Sequence, residues 1–128
     1  MSHHTFRADT TERNSTEGPF GHLDVRWMVG EHTGASLISF GQSTYPRGAT
    51  HENHYHPDAE EIVMVLAGRG VQIVGEDSLE VGPGDVCFVP RGVPHRITGT
   101  SDEDLVIVWA FGGAASMEAA GYVSIPDT

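Results

Sequence analysis

The sequence contains no lysine. All seven basic residues are arginine, set against 18 acidic ones, and the formal charge is −11. A chain this acidic lacks the basic footprint that a phosphate backbone requires, so nucleic acid is excluded as a partner. An anionic membrane surface is disfavoured for the same reason. Without a lysine amine, no Schiff base can form on the protein. The single cysteine, Cys87, leaves no intramolecular disulfide. No apolar run approaches the roughly 18 residues of a membrane span, and no charged-then-apolar leader opens the chain. These absences predict an intracellular, cytoplasmic protein. The sequon Asn14-Ser15-Thr16 is a chance match in that setting.

Helical patterning is almost missing too. Its one trace is Ser116 to Ala120, with Ser116 as N-cap and Gly121 as stop. The rest reads as short apolar runs broken by turn residues, the pattern of an all-β chain. The runs are Leu23–Met28, Ala35–Thr44, Glu61–Leu66, Gly70–Val74, Leu79–Val81, Asp85–Val89, Pro94–Thr98 and Leu105–Phe111. Sixteen glycines suit the tight turns between them. Eight or nine strands in a chain of 128 residues are too many for one flat sheet. Two packed sheets or a small barrel would bury the apolar faces and limit open edges. Residues 1–21 are polar and mixed, and read as a flexible N-terminal arm. His3 and His4 lie there and read as solvated. Residues 22–128 form a single domain.

Against this background "HENHYHPDAEE", residues 51 to 61, is dense in chemistry. His54 and His56 stand two apart, so on a strand both imidazoles face one side. Glu61 opens the next apolar run. A turn at Pro57-Asp58-Ala59 would bring it back beside the histidines on an antiparallel neighbour. Imidazole with carboxylate suits Mn, Fe, Co, Ni, Cu or Zn. His95, just after the Pro90–Gly92 turn, is a fourth candidate ligand. Glu60 competes with Glu61. Period-2 alternation from Glu61 puts Val63 and Val65 on its own face, which favours Glu61. His51 and Asn53 read equally as loop surface or as contacts that support the site.

These residues resemble the cupin superfamily. The first cupin motif, G-x5-H-x-H-x4-E-x6-G, is met at Gly48, His54, His56, Glu61 and Gly68. The second, G-x5-P-x-G-x2-H-x3-N, is met at Gly84, Pro90, Gly92 and His95, with Gly99 in the asparagine position. The resemblance runs from about Ala35 to Phe111. It implies an all-β, double-stranded β-helix (jelly-roll) barrel with a short C-terminal helix. It further implies one divalent transition metal per chain, held by His54, His56, Glu61 and His95. Small single-domain members commonly pair, which implies a homodimer, and the apolar first run Leu23–Met28 suggests an edge that needs covering.

Four protein ligands on an octahedral metal leave two positions for a small chelating substrate. A redox metal would make the protein an oxygenase, a dioxygenase-like oxidoreductase in which Glu61 is also catalytic. A non-redox metal would act as a Lewis acid in an isomerase, cyclase or lyase. A binding or sensing module that turns nothing over is the third reading. Trp109 and Phe111 alternate on the last strand and read as core, with Trp109 a possible pocket wall. Cys87 reads as a small buried hydrophobe. Arg91 and Arg96 read as surface residues able to grip a substrate carboxylate.

Overall fold

The computed structural model describes residues 4–13 and 22–125. His3, the sequon and Gly18-Pro19 lie outside the described residues. Ten strands appear in order: β1 (Asp24–Val29), β2 (Ile38–Tyr45), β3 (His54–Tyr55), β4 (Glu60–Ala67), β5 (Gly70–Val74), β6 (Asp77–Val81), β7 (Val86–Val89), β8 (His95–Gly99), β9 (Leu105–Gly112) and β10 (Val123–Ser124). Among the described residues a 3-10 turn, Glu31–Thr33, follows β1, and one α-helical turn, α1 (Met117–Ala120), precedes β10. The Ser116 side chain accepts from the amide of Ala119, and Gly121 closes the C-terminal end. No described helix is long and apolar enough to cross a membrane.

The strands form two five-stranded sheets, ordered β1-β2-β9-β4-β7 and β10-β3-β8-β5-β6, and every pairing is antiparallel. Each strand of the first sheet presents one face to the core between the sheets. On β4 the buried positions are Glu61, Val63 and Val65, and Glu60, Ile62, Met64 and Leu66 face out. β9 alternates likewise, with Leu105, Ile107, Trp109 and Phe111 inside. Leu105, Val65, Leu23 and Val81 are each at most 1% exposed and pack in one cluster. This is the jelly roll expected of the two cupin motifs.

Turn chemistry fixes where the strands reverse. Gly68 follows β4 with φ 77°, and a Cβ there would lie 2.4 Å from the Asp104 carbonyl oxygen. Only glycine satisfies both conditions. At the N-terminal side, Arg26 on β1 donates to the carbonyls of Ala8 and Thr11, both at 3.0 Å. That ties the described part of residues 1–21 to the first sheet.

One expectation is corrected. Glu61 was placed on an antiparallel neighbour of the His54–His56 strand. β3 and β4 instead belong to different sheets, and Pro57–Ala59 carries the chain across the barrel. Glu61 pairs with Phe111 and Val89, and His54 pairs with His95. The carboxylate therefore meets the imidazoles across the interior, with no backbone ladder between their strands.

Candidate metal centre

Each imidazole is aimed by a backbone carbonyl. Nδ1 of His54 donates to Glu52 O at 2.9 Å, His95 to Val93 O at 3.0 Å and His56 to Gly121 O at 2.7 Å. A carbonyl can only accept, so Nδ1 carries the proton and Nε2 the lone pair, the tautomer that binds a metal. One ligand nitrogen from each of these three side chains falls within 4.8 Å of the others, and all three residues are buried. Glu61 stands outside that three-histidine group but approaches two of its members: its Oε1 lies 3.0 Å from His95 Nε2 and 3.6 Å from His56 Nε2. That oxygen is buried and accepts no hydrogen bond from a described residue.

Burial favours the neutral form of His51, His54 and His56. Burial, as the main cause, pushes His54 down to about 2 and His51 to about 4, and it lowers His56 as well. For His54 the neighbouring His51 and His95 add to the effect. Neutral imidazoles beside an unsatisfied carboxylate oxygen fit a divalent cation, which would balance the buried charge and take the lone pairs.

The four side chains open onto a cavity of about 210 Å³ whose far walls are apolar. Trp27 meets Trp109 edge-on at 4.7 Å between ring centres, and Phe111 lies 5.8 Å from Trp27. Trp109 is both core and wall, as its position on β9 suggested, and its indole N–H donates to Ser43 Oγ at 2.8 Å. His51 also lines the cavity, its ring 4.5 Å from that of His54. Asn53 is half-buried, and its Oδ1 accepts no hydrogen bond from a described residue. Glu60 is exposed, and Arg91 is exposed outside the cavity. Arg96 is half-buried and does not line the cavity, but its carbonyl accepts from Gln72. Cys87 packs against the core, and burial raises its thiol pKa, as suits a small hydrophobe. His4 is exposed.

Sequence reasoning missed three contributors. The chain after α1 returns to the site, where the Gly121 carbonyl holds His56 and Tyr122 stacks on His54 at 4.8 Å. The Tyr122 hydroxyl and Ser124 both donate to the Glu52 carboxylate, clipping β10 beside β3. Gln72 on β5 is buried in the cavity wall. The apolar stretch that holds Gln72 gave no sign that one polar residue points inward.

A barrel of two antiparallel sheets with histidines and a carboxylate gathered inside defines the class of small β-barrel cupins. The chain belongs to that family: its model, described as "Cupin domain", matches residues 41–111. Protein SchB of Streptomyces halstedii is 28% identical over 106 residues, 82% of this chain and 77% of that protein. The dimethylsulfoniopropionate lyase DddQ of Ruegeria pomeroyi is 32% identical over 105 residues, 78% of this chain. This chain spans 49% of the length of DddQ. Among solved structures, the polyketide cyclase RemF from Streptomyces resistomycificus superposes with a TM-score of 0.78 at 16% identity, covering 97% of this chain and 86% of that one. That likeness is one of fold.

Proposed function

We propose that the protein is a metal-dependent enzyme acting on a small organic substrate at a centre formed by His54, His56, Glu61 and His95. The observation that carries the reading is the unsatisfied, buried Glu61 Oε1 facing imidazoles held in the metal-binding tautomer. When bound, a divalent transition metal supplies oxygen activation if it is redox-active and Lewis-acid polarisation if it is not. The chain supplies the rest. Three carbonyl-anchored imidazoles fix the geometry, Glu61 adds a negative charge that favours the higher oxidation state, and the aromatic walls exclude water from the bound substrate.

An oxygenase is the first reading, because the anionic Glu61 suits a metal that changes valence. A Lewis-acid lyase or cyclase is the second. It is supported by the 32% identity to the lyase DddQ. We further propose that two chains pair through the exposed apolar face of the first sheet. Metal analysis of protein purified without added metal, with oxygen uptake over a panel of enolic, catecholic and thiol compounds, tests the reaction class. Iron, copper or nickel with oxygen consumption supports the oxygenase. Zinc with product formed under nitrogen supports the lyase or cyclase. Protein without metal that also binds none on reconstitution would sink both.

A further inference from the structure

Gln72 is 3% exposed and lies on β5, where it pairs with Ile97 while Val74 pairs with His95. It sits two residues beyond the His95 pair on the same inward face. Its Nε2 donates to the Arg96 carbonyl at 3.1 Å. That bond fixes the direction of the amide, since reversing it would set oxygen against oxygen. Oε1 is buried and accepts no hydrogen bond from a described residue, and Gln72 is part of the cavity wall. A buried amide oxygen left in this way calls for a donor other than the described residues, and the cavity it faces can supply one as a bound ligand.

The surroundings restrict that donor. Trp27, Trp109, Phe111 and Ile107 form an apolar chamber, and no arginine lines it among the described residues. The chain has no lysine. A substrate carboxylate beside Gln72 would face an amide oxygen and no side-chain cation. A flat apolar body bearing an O–H would satisfy both the walls and the amide.

We propose that Gln72 selects the substrate of this site: its Oε1 accepts a hydrogen bond from a phenolic or enolic hydroxyl on an apolar, ring-sized substrate and rejects a carboxylate at that position. This rests on the reading of the cavity as the substrate chamber of a metal enzyme.

The test is calorimetry on the full chain, zinc-loaded and chelator-treated, with 4-methylphenol, its near-isostere p-xylene and 4-methylbenzoate as probes. In chelator-treated protein the phenol should bind about tenfold more tightly than p-xylene, and the benzoate more weakly than either. Gln72→Met keeps length and volume without the amide. It should bring phenol and p-xylene within about twofold of each other while zinc content stays that of the wild type. A Gln72→Met protein with the wild-type preference overturns the proposal. A wild type that prefers the benzoate, or binds no phenol, overturns it even if the variant does not fold. Loss of zinc from Gln72→Met would make Gln72 a ligand of the ion and also overturn it. A wild type that binds no zinc yet shows the Gln72-dependent preference sinks the metal reading and supports this one.

Discussion

Nδ1 of His56 donates to the carbonyl of Gly121, 2.7 Å away and 65 residues on in the sequence. The site is therefore held partly from outside its own motif. Gly121 has φ 80°, and a Cβ there would meet Pro57 Cγ at 2.7 Å. Gly121→Val should displace the carbonyl, loosen the His56 ring and weaken zinc binding by about 10–100-fold, with every proposed ligand intact. Competition against a chromophoric chelator measures this. Wild-type affinity would mean that the carbonyl does not orient the imidazole.

The proposed ligands carry a direct prediction. His54→Ala or His95→Ala should each remove a ligand and sharply lower the metal content of purified protein. Both residues are at most 3% exposed, and their strands pair at these two residues. Elemental analysis decides the matter: full occupancy in both single variants would remove the assignment.

Much of this was legible in sequence because the information is local. H-x-H places His54 and His56 on one side, and period-2 alternation separates Glu61 from Glu60, one buried and one exposed. The motif spacing also placed His95. The partner sheet of Glu61 was not legible, because Pro57–Ala59 can either reverse within a sheet or cross between sheets. The roles of Gly121, Tyr122 and Gln72 depend on contacts with strands distant in sequence, and no local periodicity marks them. β10 is two residues long and forms only where Glu52 anchors Tyr122 and Ser124.

Paired carboxylate variants test the register. Glu61→Gln keeps size and an oxygen donor but removes the charge, so metal content should fall modestly and turnover further. Glu60→Gln should leave both unchanged, since Glu60 faces outward. The opposite pattern would shift the inward set of β4 by one residue and remove Val63 and Val65 from the lining.

Stability should depend on pH in a direction set by burial. His51 is held at about 4 and His54 at about 2 in the fold, against an ordinary value of 6.5. Below pH 6.5 the unfolded chain takes up protons that the fold does not accept. Stability is therefore full above about 6.5 and falls as pH drops towards 4 and below. His51 alone accounts for about 3 kcal/mol of that loss by pH 4. Bound metal should steepen the loss, because protons compete for the same nitrogens. Thermal melts of chelator-treated and zinc-loaded protein from pH 8 to pH 4 measure both effects. A flat profile for the chelator-treated form would show that these imidazoles are not buried neutral.

The outer face of the first sheet carries the last prediction. Ile62 on β4 pairs with Phe88 on β7, and both are more than half exposed. Ile38, Phe40, Met64, Leu66 and Val86 extend the same apolar surface across neighbouring strands. A contiguous patch of this kind marks an interface, and a twofold axis lets one patch cover its own copy. The apolar surface is thus broader than the β1 edge that the sequence suggested. The wild type should sediment as two chains at micromolar concentration, and the Ile62→Asp/Phe88→Asp double variant as one. Neither position touches the cavity, so metal content should be unchanged in the variant. A wild type that sediments as a single chain throughout would end the pairing proposal. A double variant that remains paired would move the interface to another face, with the β1 edge the next to alter.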